Sequence, residues 1–275
     1  MHRFVFLGLL VTSLPTYAWG PEGHALVARI AESELTPEVR ARVLEILGPG
    51  KTMESVASWA DQIRGSRRET APWHFVDIPI SKPHLDMARD CANGDCVVAQ
   101  IERFRAILKD PATPPDQRRE ALMFVIHFVG DMHQPLHSSD NKDRGGNSVR
   151  IEFEGRSGNL HSLWDSSLLQ VMGTEEAVLP AMMREAERHR KSWAKGTVRD
   201  WAEEAHKAAQ KMVYGKLPKG TWSLQTSIPV AANALPPAPP IAITAAYEHK
   251  ADLLIAEQIE RAGVRLASLL NSTLQ

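Results

Sequence analysis

The spacing His-x-x-x-Asp occurs twice in the chain, as His127 and Asp131 within HFVGD and as His161 and Asp165 within HSLWD. Residues four apart on a helix share a face, so each pair can offer an imidazole nitrogen and a carboxylate oxygen to one cation, as helical zinc motifs do. His137 lies six residues beyond Asp131, past Pro135, which ends the helix and turns the chain back toward the same end. His74 adds an imidazole upstream, within WHFVD. One isolated pair of this kind is ordinarily a surface ion pair. Here both pairs sit in apolar company: Phe124, Val125, Ile126, Phe128 and Val129 around the first, Leu160, Leu163 and Trp164 around the second. A charged group left unpartnered in such surroundings is costly, and a metal is the partner that accounts for all of them together. Imidazole with carboxylate and no thiolate suits zinc better than Ca²⁺ or Mg²⁺. More than three histidines imply more than one ion, and metals a few ångströms apart serve in-line displacement at phosphorus.

Side chains so placed need a helical frame, and the sequence supplies one. Pro21–Glu34, Thr36–Leu47, Met53–Arg64, Cys96–Lys109 and Asp116–His133 each carry apolar residues at three-to-four spacing, the second opened by Thr36 as N-cap and Pro37 in the first turn. Between Arg144 and Asn159 the pattern changes to SVRIEFEG, an alternation expected to form a short strand and turn. Helix resumes near His161, continues in pieces through Tyr214, and a long amphipathic helix is expected from about Thr244 to Leu270, after an extended Leu235–Pro240 connector. With 275 residues, 43% apolar and 24% charged, the chain has the composition of one globular domain with a sizeable core. The expected architecture is a mainly α, single-domain helical bundle with a small β-hairpin. A formal net charge of −1 excludes the strongly basic surface by which many proteins grip phosphate. Positive charge to meet a phosphate must come from elsewhere, and bound metal would provide it.

Residues 1–18 read as a signal peptide: His2 and Arg3, an apolar run from Phe4 to Leu14, then small residues ending at Ala18. That run is about 11 residues, against the ~20 needed to span a bilayer. The mature domain is then 19–275, exported to the periplasm or secreted, with no membrane anchor after cleavage. In an exported protein, Cys91 and Cys96, five apart across Asn-Gly, favour a small loop-closing disulfide over a metal site or nucleophile.

Six motifs together resemble the zinc-dependent single-strand-specific nucleases, the group that includes fungal nuclease P-one and mung bean nuclease. They are WGPEGH from Trp19 to His24, ADQIR from Ala60 to Arg64, WHFVD from Trp73 to Asp77, HFVGDMHQPLH from His127 to His137, GGN from Gly145 to Asn147, and HSLWD from His161 to Asp165. They occur in family order, with a looser match in the C-terminal helix. The resemblance implies the helical fold shared with zinc phospholipase C, three Zn²⁺ ions and a division of the ligands. Asp61, His74, His127 and Asp131 would hold one ion. His24, a shared Asp131, and the α-amino group and carbonyl of Trp19 would hold the second. His137, His161 and Asp165 would hold the third. The amine of Trp19 exists only after cleavage, which links export to metal assembly.

The same resemblance gives Asp61 the task of orienting or deprotonating the attacking water and Arg64 that of stabilising charge on the phosphate, the alternative for Arg64 being a surface salt bridge. Phe75 and Asp77 would form a base pocket, by stacking and by accepting from the base edge, with Asn147 lining it. The plain alternatives are a core Phe75 and an ordinary hairpin turn at Asn147. His133 matches no ligand position and is expected to be structural. The implied activity is hydrolysis of single-stranded DNA and RNA to 5′-phosphate products, with 3′-nucleotidase action on 3′-mononucleotides, by a monomer. Arg144 departs from the apolar residue common at that position, which puts base preference in question, and the single possible disulfide suits a bacterial member. The competing readings are a zinc-dependent phospholipase C and a non-catalytic periplasmic zinc-binding protein.

Overall fold

The structure is a computed structural model that describes residues 19–217 and 239–275; the expected signal peptide and residues 235–238 of the connector lie outside the described residues. The fold is mainly helical, as the periodicity implies. The Pro115–His133 helix runs through its centre, and from Ala121 onward every residue of it is buried. A helix apolar on all sides has no solvent face, and the polar groups it carries must find partners inside. Pro21–Glu34, Val97–Lys109, Val198–Ala208 and the C-terminal Ala245–Thr273 helix all pack against it. Phe124 stacks with both Phe104 and Phe128, Phe128 meets Phe104 at a tilt, and Trp73 meets Phe104 and Phe124 edge-on, forming one aromatic cluster.

The Thr36 cap falls where the sequence puts it, and the C-terminal helix starts where expected. Thr36 accepts from the Val39 amide and Pro37 opens its helix, and Thr244 caps the C-terminal helix by accepting from Tyr247, each satisfying an otherwise orphaned donor. That helix lies against Pro21–Glu34 at close range: a Cβ on Gly263 would stand 2.4 Å from Ile30 Cγ2, so the absence of a side chain sets the approach. The expected Met53–Arg64 helix is broken in the structure. It forms two short helices, Met53–Val56 and Trp59–Ile63, and the Ala57 carbonyl between them accepts 2.7 Å from His127 Nδ1. The interruption frees that carbonyl to orient a ring.

The strand signal resolves into β1 (Arg150–Phe153) and β2 (Arg156–Asn159), an antiparallel hairpin with Arg150 opposite Asn159. A third strand, β3 (Ile241–Ala242), adds parallel to β1; two residues are too few to show a periodicity. Cys91 and Cys96 are disulfide-bonded with an S–S distance of 2.04 Å. No helix among the described residues is long and apolar enough to cross a membrane.

Candidate metal centre

Seven elements deliver the chemistry-bearing side chains to one interior region. His24 comes from the Pro21–Glu34 helix, Asp61 from Trp59–Ile63, and His74 from the end of a 3₁₀ segment, Arg68–His74. His127 and Asp131 stand one turn apart on the central helix. Gln134 ends that helix with extended backbone before Pro135, and the next 3₁₀ turn, Pro135–Ser138, presents His137. His161 sits in a turn capped by Asn159, whose side chain accepts from Ser162. Asp165 lies in the π-helical Leu163–Ser167 segment that follows, a widening common at functional sites.

Three groups result, each with its ligand atoms within 4.8 Å of one another and every residue buried: His24, His127 and Asp131; Asp61, His74 and His127; His137, His161 and Asp165. Asp131 divides its oxygens, Oδ2 standing 2.8 Å from His74 Nδ1 and 3.2 Å from His127 Nε2, Oδ1 3.3 Å from His24 Nε2. It therefore lies between the first two groups, where the resemblance needs a shared carboxylate. Asp61 reaches the same point, 3.7 Å from His74 Nδ1 and 3.6 Å from His127 Nε2.

The imidazoles are held by their other nitrogens. His127 Nδ1 meets the Ala57 carbonyl, His137 Nδ1 the His74 carbonyl at 2.9 Å, and His161 Nδ1 the Gly145 carbonyl at 2.7 Å. Donation from Nδ1–H to a carbonyl fixes the tautomer and leaves the Nε2 lone pair for a metal. His137 Nε2 and His161 Nε2 do face each other, 3.3 Å apart, with Asp165 Oδ2 3.3 Å from the latter.

The donor set fits a metal by a second observation. Both ring nitrogens of His24, both oxygens of Asp61, His74 Nε2, Asp131 Oδ1 and Asp165 Oδ2 are buried with no hydrogen-bond partner among the protein groups. Native interiors rarely leave such atoms unpaired, and these gather within the three groups. Burial pushes His137 down to about 3 and His161 to about 4, so both rings are neutral and able to ligate. At His127 burial acts in the same sense, but Asp131 and Asp61 overcome it and raise the group to about 9. Two carboxylates that so favour a protonated imidazole mark a point where a cation is favoured. Burial also drives the Asp165 carboxyl well above the usual range.

Arg64 caps its short helix, half-buried, and its charge is felt at both His161 and Asp165. Phe75 is half-buried and stands outside the packed core. Asp77 meets solvent yet has protein on most sides; that dehydration, with Asp140, Asp90 and Asp143 nearby, pushes it up to about 6. Asn147 is half-buried, and its Nδ2 closes the turn by donating 2.9 Å to the Arg144 carbonyl. Trp19 is fully buried, and the next amide, Gly20, donates 2.7 Å to the Asp165 carbonyl, bringing the start of the domain against the third group. His133 is buried away from the ligands, its Nδ1 on the Val129 carbonyl at 2.7 Å and its Nε2 on Arg265 at 2.9 Å.

Sequence reasoning missed the residues that hold the candidate ligands in place. Gln134 Nε2 donates 2.6 Å to Asp165 Oδ1 while its Oε1 accepts from the Leu136 amide at 2.6 Å. Gly130 leaves room for His24, since a Cβ there would stand 2.9 Å from His24 Nδ1. A buried amide and a mid-helix glycine beside ligand positions were the available signals.

Fold and site together define a helical bundle built around clustered histidine and aspartate groups that could hold metal. Residues 19–275 match the family described as S1/P1 Nuclease, and the chain belongs to that family. It is 34% identical to Nuclease P1 of Penicillium citrinum over 189 residues, 66% of each protein. It is 34% identical to Nuclease S1 of Aspergillus oryzae over 160 residues, 56% of this chain and 55% of that one. Endonuclease 4 of Arabidopsis thaliana is 37% identical over 166 residues, 55% of this chain and 56% of its own. The chain thus spans just under two thirds of the first of these relatives and little over half of the others.

Proposed function

We propose that this protein is a three-zinc phosphodiesterase that hydrolyses single-stranded DNA and RNA to 5′-phosphate products and removes phosphate from 3′-mononucleotides. The observation that carries the reading is the convergence of three buried His/Asp groups, each of which contains polar atoms that lack protein partners. Asp61, His74, His127 and Asp131 hold one ion, Trp19, His24 and Asp131 the second, and His137, His161 and Asp165 the third. His127 also lies within reach of His24 and Asp131, so the first two sites adjoin. Zinc bound there supplies Lewis acidity toward a phosphodiester and lowers the pKa of water.

The protein's own groups do the rest. Asp61 offers carboxylate oxygens with no competing hydrogen bond, so it can orient an attacking water and take its proton. The charge of Arg64 acts on His161 and Asp165, and a guanidinium near them stabilises negative charge added to a phosphate. Phe75 offers a ring that the core does not claim. Stacking a base on it requires that base to leave its neighbours, which costs a few kcal/mol in a duplex and little in a flexible strand. Asp77 accepts from the base edge, and Asn147 borders the same pocket. Export to the periplasm or medium, with cleavage after Ala18, frees the Trp19 amine and suits the Cys91–Cys96 disulfide. The enzyme acts as a monomer.

The test is hydrolysis of single-stranded DNA, duplex DNA and phosphatidylcholine by protein beginning at Trp19. Rapid cleavage of the single strand alone is the expected result. Cleavage of the lipid alone would make the protein a phospholipase, and no cleavage of any substrate would reduce it to a zinc-binding protein.

A further inference from the structure

The residues that reach the metal centre do not explain why three side chains, His206, Gln210 and Tyr214, are spaced four apart along one segment outside it and all face inward. His206 is buried, with Nδ1 2.7 Å from Ser139 Oγ and Nε2 2.7 Å from the Lys82 carbonyl. Gln210 Nε2 donates to the Ile80 carbonyl at 2.7 Å and to Lys82 at 3.0 Å. Tyr214 donates its hydroxyl 2.9 Å to Asp143 Oδ1, and both residues are buried. The segment thereby grips the chain just after His137 and just after Asp77, and it grips the turn before His161.

The last of these grips leads to a metal ligand. Asp143 Oδ1 also accepts from the Gly146 amide at 2.8 Å, and the Asp143 carbonyl accepts from Ser148 at 2.9 Å. The turn between them has φ of +59° at Gly145 and +83° at Gly146, and a Cβ on Gly145 would stand 2.8 Å from the Leu136 carbonyl. A glycine turn is conformationally permissive and takes its geometry from what binds it. Its Gly145 carbonyl is the group that fixes the ring of His161.

We propose that Tyr214 is a positioning residue for the third metal group: by holding Asp143 it sets the Gly145–Gly146 turn, and the turn aims His161 Nε2. The inference rests on the reading that His137, His161 and Asp165 hold a metal. It is tested on zinc retention, which is read without any substrate, so its failure is separable from failure of the nuclease reading.

Zinc release from Tyr214→Phe to a competing chelator is compared with that from the unsubstituted protein and from Thr273→Val. Thr273 is a buried hydroxyl on the C-terminal helix that donates to the Leu269 carbonyl and accepts from Arg105 Nε at 3.3 Å, contacts that lead to none of the three groups. Perturbing the group that orients a ligand lowers metal affinity about 10- to 100-fold. One zinc per chain should therefore leave Tyr214→Phe at about 10-fold lower chelator, with the hydrogen-bonded His161 Nδ1–H signal weakened in the NMR spectrum. Asp143→Asn, which keeps the accepting oxygen, should retain zinc, and Asp143→Ala should lose it as Tyr214→Phe does. Combining Tyr214→Phe with Asp143→Ala should add nothing. Should Tyr214→Phe not fold, the Asp143→Asn and Asp143→Ala pair carries the test. Release unchanged from the unsubstituted protein, or equal in Tyr214→Phe and Thr273→Val, would overturn the proposal, as would equal release from the two Asp143 variants.

Discussion

Gly130→Ala separates metal placement from folding. In the middle of a helix, alanine is favoured over glycine by about 0.8–1.0 kcal/mol, so on propensity alone the substitution stabilises. The site opposes it. The new Cβ would meet His24 Nδ1 at 2.9 Å and Cε1 at 3.2 Å, where unstrained contacts lie at roughly 3.5–4.0 Å. The His24 ring must retreat by about 0.5–1 Å, yet it is 1% exposed, stacked 4.0 Å from the His127 ring, and carried on a helix pinned to the C-terminal helix at Gly263. Overpacking of this kind costs about 1–3 kcal/mol. Net stability should fall by no more than about 2 kcal/mol, roughly 4–8 °C in Tm for a domain of this size. Displacing a ligand costs the site more than it costs the fold: zinc affinity at the group containing His24 should drop about 10- to 100-fold, and hydrolysis with it. The assay pairs thermal unfolding by circular dichroism with zinc titration and oligonucleotide cleavage on one preparation. Unchanged zinc affinity and cleavage rate in a folded Gly130→Ala protein would refute the placement of His24 in the metal centre.

Three further outcomes are expected. Asp61→Asn should lower kcat by at least about 100-fold, the scale of lost acid/base and electrostatic help; near-normal turnover would remove Asp61 from the chemistry. Phe75→Ala should raise KM for single strands about 5- to 150-fold with little change in stability, since stacking on an aromatic contributes about 1–3 kcal/mol per base; an unchanged KM, measured by steady-state kinetics, would leave Phe75 without a substrate role. Glu260 is 7% exposed, and burial, with Glu185 and Glu257 nearby, raises it from 4.5 to about 8. Because the folded pKa lies above the unfolded one, its contribution to stability is complete below pH 4.5 and lost as pH rises to 8. Glu260→Gln should therefore flatten the fall of Tm between pH 5 and 8.5 and raise Tm by about 2–4 °C at the upper end; parallel Tm profiles for the two proteins would count against it.

Much of the frame was legible because it depends on local physics. Thr36 with Pro37 and Thr244 mark helix starts that the structure reproduces, and the four-residue spacing of His127 and Asp131 suffices to put both on one face. The break at Ala57 was not legible, since the carbonyl it frees serves a ring 70 residues away in sequence. Gln134, Asp143 and Tyr214 were hidden for the same reason: each acts through a partner brought near only by folding. His133 illustrates the limit of pattern from the other side. It lies two residues from Asp131, but the helix turns it toward Arg265, whose guanidinium, together with burial, holds the ring neutral.

The central claim, that the three groups act as one metal-dependent hydrolytic centre, is tested most directly by zinc titration of the metal-stripped protein. Hydrolysis of a single-stranded oligonucleotide is followed as zinc is added to protein beginning at Trp19 and to the same protein with one glycine before it. No activity is expected without zinc, and full activity only when about three equivalents are bound. The glycine-extended protein, whose Trp19 nitrogen is an amide without a free lone pair, should bind one ion fewer and stay slow. Activity that survives stripping, or that saturates at a single equivalent in both proteins, would contradict the claim.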